Sequence, residues 1–230
     1  MAQARPCWCR GTPALLAVGM AIGPGCTISA SVPPMPMSGS AIADGSPGDQ
    51  VYLGVGAPLP ISVDVGWRHA FTRHVAMDIG GAGVMAFNGF QLGLSPGVWG
   101  MVPFDGEDGH HALAFRAGGV LGVGPAGFGG GPDGRVQYSF RWHPRGAFLI
   151  TAAGQAAWTT ADSFVLAVPI HTGVDVPAGS VSVHLGVTAG PWWSEDDVYL
   201  MLMGQVGVRF GTPGTGPRRS RDATARAGGR

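Results

Sequence analysis

Seven histidines, three cysteines and a scatter of arginines and aspartates carry what chemistry this chain has. His110 and His111 are adjacent and close to Asp105, Glu107 and Asp108, residue types that ligate metals. In a short acidic turn such neighbours read as solvated side chains, so no metal centre is expected. His171 and His184, with Ser163, Ser180 or Ser182, offer a base and a nucleophile. No G-x-S-x-G is present, however, and the spacing carries no specificity. Trp192 and Trp193 precede Ser194-Glu195-Asp196-Asp197. Aromatics beside acids suit calcium or a sugar, but an interfacial anchor followed by a solvated loop is the simpler reading. GVGPAG and GFGGGPDG match neither a dinucleotide nor a phosphate-binding loop. No cofactor and no catalytic residue are expected.

The elements that would position such residues are short alternating segments. In Val136-Gln137-Tyr138-Ser139-Phe140-Arg141-Trp142, Val136, Tyr138, Phe140 and Trp142 share one face, and Gln137, Ser139 and Arg141 share the other. Successive side chains of a strand point to opposite faces, so this segment has an oily wall and a wet wall. Ten such stretches are read: 50–56, 61–68, 74–86, 90–102, 111–123, 135–142, 147–158, 163–174, 180–190 and 198–210. Pro96 interrupts the fourth. Short turns are read at 70–72, 143–145 and 175–178, and the longest loop at 124–134.

Only 12% of residues are charged, glycine numbers 41, and all 14 basic residues are arginine. That usage also suits a GC-rich genome. Mean hydropathy is positive, yet beyond the N-terminus no apolar run approaches the roughly 20 residues of a membrane helix. The formal net charge is zero, so nothing global points to nucleic acid, and nothing specifies an oligomeric state.

Residues 1–25 read as a signal peptide: Arg5 and Arg10 precede the apolar stretch Thr12 to Ile22. Residues 26–48, rich in Ser, Pro and Gly, read as a flexible linker, and residues 49–210 as the folded unit. The tail, 211–230, carries five Arg against one Asp and reads as disordered. Cys26 resembles the lipidated cysteine of bacterial lipoproteins, although Gly23 stands where leucine is usual.

Over residues 49–210 the chain resembles bacterial outer-membrane β-barrel proteins. Its last strand carries the resemblance best: Leu202, Gly204, Val206, Val208 and Phe210 alternate and end in Phe, although twenty residues follow. The resemblance implies an all-β fold: a single up-and-down antiparallel transmembrane β-barrel of about ten strands, with eight or twelve as alternatives. Outer-membrane lipid and the barrel-assembly machinery are its implied partners. With both chain ends on the inner side, Trp67, Trp99, Trp142 and Phe210 would fall near the inner interface. Trp158, Trp192 and Trp193 would fall near the outer one. The interior would receive Asp64, Arg68, His74, Asp78, Arg116, Arg135, Arg141, His184 and Arg209. Such charges either select small solutes or pair to plug a narrow barrel. The expected role is structural or that of a narrow pore, without catalysis. Two alternatives compete: a soluble periplasmic β-sandwich lipoprotein that binds a ligand or partner, and a lipid-modifying barrel enzyme.

Overall fold

The computed structural model describes residues 48–57, 61–72, 74–86, 89–104, 110–124, 127–143, 145–160, 164–194 and 198–211. Cys26, the signal peptide and nearly all of the expected linker and tail lie outside them. The elements are β1 (Gly48–Ala57), β2 (Ile61–Ala70), β3 (Val75–Ala86), β4 (Gly89–Pro103), β5 (His111–Gly124), β6 (Gly127–His143), β7 (Gly146–Thr159), β8 (Phe164–Ala167), β9 (Ile170–Ala178), β10 (Val181–Ser194) and β11 (Val198–Phe210).

β8 and β9 form one stave. Gln155↔Ala167 and Ala152↔Ile170 keep a single register against β7, and Trp192↔Ala167 and Ala189↔Ile170 do so against β10. The break falls at Val168–Pro169, where proline has no N–H to donate. The Pro169 carbonyl still accepts from Ala153 N at 2.9 Å, and Val168 N donates to Pro191 O at 3.1 Å. All neighbours are antiparallel, and β11 returns to β1 from Val51↔Phe210 to Ala57↔Gly204. The sheet therefore closes as a ten-stave, up-and-down barrel with no free edge.

Alternation along each strand decides which face is oily. On β2, Asp64 is 2% exposed and its neighbour Val63 is 58% exposed. The pattern recurs around the barrel: polar side chains are enclosed, and valines, leucines and phenylalanines form the outer wall. A β-sandwich would enclose those apolar faces instead, so the sandwich alternative is overturned. Phe148 and Trp158 both face outward on β7, ten positions apart. At about 3.3 Å per residue and a tilt of about 40° they stand about 25 Å apart in height, the apolar band of a membrane barrel.

Three expectations are corrected here. The stretch read as the longest loop, 124–134, is mostly strand: β6 begins at Gly127, and Gly134 to Gly127 pair residue by residue with Ala117 to Gly124 of β5. Glycine had argued for a loop. In the barrel it lets backbones approach, since a Cβ on Gly131 would collide with the carbonyl of Ala156. The turn read at 175–178 is also strand, and the chain reverses at Gly179, whose φ is 62°, and Ser180. Pro96 does not shift the phase of β4. Leu94↔Leu121 and Gly97↔Gly118 hold one register across it, and Pro96 faces outward.

Leu94 faces outward near mid-height. Leu94→Arg is expected to lower the free energy of refolding into lipid vesicles by about 2–4 kcal/mol, read from urea titrations. A change within about 0.5 kcal/mol would mean that Leu94 does not meet lipid.

Candidate functional site

The barrel interior is the candidate site, because every strand delivers alternate side chains to it. Two polar clusters fill it. The first is centred on Asp78 of β3 and Asp133 of β6. Arg116 reaches both: its Nε donates to Asp78 Oδ1 at 2.9 Å and its Nη1 to Asp133 Oδ2, while Nη2 donates to Ser95 Oγ at 2.8 Å. Arg135 adds a bond to Asp133 Oδ2 at 3.1 Å. Arg68 lies 3.8 Å from Asp78 and sits 4.9 Å over the ring of Trp99, whose Nε1 donates to Asp78 at 2.7 Å. Below this cluster, toward the end where β1 begins, Ala70, Ala76, Trp99, Met101, Ala112 and Ala114 pack together inside the wall.

The second cluster spans β9, β10, β11 and β2. His171-Thr172-Gly173-Val174-Asp175 on β9 faces His184-Leu185-Gly186-Val187-Thr188 on β10. Gly173 pairs with Gly186, His171 with Thr188, and Asp175 with His184, so a local two-fold passes through the glycine pair. Both imidazoles fold over that glycine floor and stack at 5.1 Å, with their Nε2 atoms 3.1 Å apart. A Cβ on Gly186 would stand 2.9 Å from both Nε2 atoms, so the floor must be glycine. His184 Nδ1 meets Asp175 Oδ1 at 2.8 Å, and His171 Nδ1 meets Thr188 Oγ1 at 2.9 Å. Thr188 continues to Gln205 at 3.1 Å, and Gln205 to Asp64 at 3.4 Å. Arg209 holds Asp175 Oδ2 at 3.1 Å and donates to Ser182 Oγ at 3.2 Å.

Of the residues assigned to the interior, Asp64, Arg68, Asp78, Arg116, Arg135, His184 and Arg209 lie in these clusters. His74 does not. It is exposed in the β2–β3 turn, where its N–H is taken by Thr72 Oγ1, because β3 begins only at Val75. Arg141 is half-buried at the end of β6, beside a register slip between Arg141 and His143. Among the aromatics assigned to the interfaces, Trp67, Trp142, Trp158 and Phe210 face outward. Trp67 and Trp142 are braced by His69 and Phe140, and Trp158 by Phe164. Trp99 is corrected. It is 2% exposed and inside, because the phase of β4 is continuous through Pro96. Trp192 shares the inward parity of His184 and Thr188, and Trp193 the outward one.

Asp133 and Asp175 were missed, since each fell in a segment read as loop or turn. Carrying the parity of Arg135 back two residues, or that of His171 forward four, finds them. Of the serines weighed as nucleophiles beside His171 or His184, neither described one, Ser180 or Ser182, hydrogen-bonds an imidazole. Ser182 Oγ donates to the Arg145 carbonyl, Ser180 lies in the β9–β10 turn, and Ser163 is outside the described residues. His110 Nδ1 meets the Arg141 carbonyl and His111 Nδ1 the Tyr138 hydroxyl, while their acidic neighbours lie outside the described residues. Among the described residues no three metal-ligating side chains cluster.

No protein-family model matches the chain, and no curated protein matches it. Among solved structures it is similar to a barrel from the de novo design of transmembrane β-barrels, at 13% identity over 72% of this chain and 95% of that chain, with a TM-score of 0.28. It is similar to Ail, the attachment invasion locus protein of Yersinia pestis, at 10% identity over 74% of this chain and 99% of that one, with a TM-score of 0.30. Neisserial surface protein A matches at 11% identity over 71% and 94%, again with a TM-score of 0.30. The barrel assignment itself rests on strand pairing and closure.

Arg116→Met leaves two enclosed carboxylates short of a partner. It is expected to destabilise the refolded protein by about 3–5 kcal/mol. Arg116→Lys should recover only part, because one ammonium cannot span both aspartates and Ser95. A loss below about 1 kcal/mol in denaturant titrations would mean that water already solvates these carboxylates and that the lumen is open.

Proposed function

We propose that this chain is a bacterial outer-membrane barrel with a structural role, its interior closed by its own side chains. One observation carries the reading: the enclosed Arg68, Arg116 and Arg135 face Asp78 and Asp133, and Arg209 and His184 face Asp175, so these charges meet one another instead of a solute. A wall whose outer surface is aliphatic between two aromatic levels supports a lipid surrounding. The outward row Leu202, Val206, Val208 and Phe210 on β11 is the surface offered to the barrel-assembly machinery. A cleaved signal peptide would deliver the chain, and lipid on Cys26 would add a tether. The burial of both imidazoles inside the wall speaks against catalysis on lipid.

Fractionation of cells that express wild type or Cys26→Ser tests this. Both are expected in the outer membrane, with faster gel migration before boiling than after, and no sustained conductance steps in planar bilayers. A soluble Cys26→Ser protein would contradict the membrane reading. Stable conductance would contradict the closed interior and make the protein a narrow pore.

A further inference from the structure

At the inner end of the barrel a carboxylate stands on the outward face. Asp49 of β1 pairs with His69 of β2, below the pair Val51↔Trp67. Both rings turn a nitrogen to the same oxygen: Trp67 Nε1 donates to Asp49 Oδ1 at 3.0 Å, and His69 Nδ1 lies 3.0 Å from it. A carboxylate only accepts, so the hydrogen of the second bond belongs to Nδ1, and Nε2 of the neutral ring is a lone pair. Trp67 and His69 stack at 5.9 Å, and Phe71 meets His69 edge-on at 4.8 Å. The side chain of Asp49 is 62% exposed and that of His69 34%.

These groups suit a cation with hydrogens to give. Asp49 Oδ2 lies outside the two ring bonds, His69 Nε2 offers its lone pair, and the indole offers a π-face. Among the described residues no arginine pairs with Asp49. Arg68, between Trp67 and His69 in the chain, faces inward and lies 3.8 Å from Asp78.

We propose that Asp49, Trp67 and His69 bind the ammonium of an ethanolamine-type phospholipid headgroup in the inner leaflet. The inference rests on the membrane reading above, in which Trp67 marks the inner interface and the exposed Val51, Leu53 and Val65 face acyl chains. A lipid whose chains lie along those residues carries its headgroup at the level of Asp49 and His69. Its primary ammonium donates to the carboxylate and to Nε2 and lies against the indole. A glycerol headgroup brings no cation.

The test uses the full chain refolded in a neutral detergent, with unboiled gel mobility as the check on folding. The indole N–H resonance of Trp67, assigned with Trp67→Phe, is followed by NMR in mildly alkaline buffer while matched short-chain lipids with ethanolamine or glycerol headgroups are added. The ethanolamine lipid is expected to shift it saturably and to bind about fivefold more tightly than the glycerol lipid, the combined effect of an exposed ion pair and a cation–π contact. Asp49→Asn keeps an oxygen for both rings, removes the charge, and should erase the preference. Equal affinity for the two lipids, or a preference that survives Asp49→Asn, would overturn the proposal. So would an equal shift from chain-free phosphoethanolamine at the same concentration, which would make this a site for a soluble amine. A folded barrel without the preference overturns this inference alone, whereas a chain that does not enter lipid vesicles overturns the membrane reading with it.

Discussion

A sheet one layer thick has no second layer behind it, so closing it forces half of all side chains into a narrow common space. That constraint governs this molecule. Period-two alternation sends Asp78, Arg116, Asp133 and Arg135 inward from three strands, β3, β5 and β6, and the same alternation sends Leu94, Val136 and Ile150 outward. Leaving one such charge without a partner costs several kcal/mol. The bond geometry of Arg116, which joins β3, β4 and β6 through Asp78, Ser95 and Asp133, is how that cost is avoided. The outer wall can be oily only because the interior has absorbed the polar side chains in pairs.

Much of this was legible in the sequence. The all-β architecture and the outward row on the last strand follow from alternation, and the closed barrel was what the resemblance to outer-membrane proteins implied. The single stave through Val168–Pro169 was also legible, since Phe164, Leu166, Val168 and Ile170 keep one parity. What misled was composition. Glycine and proline argue for turns in soluble proteins, yet Gly127 to Gly134 are β-paired, and Pro96 and Pro132 face outward with the register unchanged across each of them. Reading those residues as breaks hid Asp133 and Asp175 and put Trp99 on the wrong face. Parity, carried through the prolines and glycines, was the better guide.

Glycine in this wall has a second use, which is to make room. Gly66 lies flat against the ring of Tyr52, its partner across β1 and β2, and a Cβ there would collide with it. Gly173 and Gly186 do the same for His171 and His184. In each case a bulky polar group folds down onto an adjacent strand instead of projecting across the lumen. Ten staves can thereby enclose rings and guanidiniums together. The paired segments His171–Asp175 and His184–Thr188 show the device used twice about a local two-fold. The same spacing brings hydrogen-bonding atoms into line along the wall.

The central claim is that outward residues meet lipid and inward residues meet only one another. A single-cysteine nitroxide scan along β7, residues 147–158, in a background with Cys7, Cys9 and Cys26 replaced by serine and refolded into lipid vesicles, tests it most directly. The account predicts a strict period of two. Ile150, Ala152 and Gly154 should be open to molecular oxygen, and Leu149, Thr151, Ala153 and Gln155 shielded from both oxygen and a polar nickel complex. Free access of the nickel complex to the second set would show a water-filled lumen, and loss of the alternation would contradict the barrel itself.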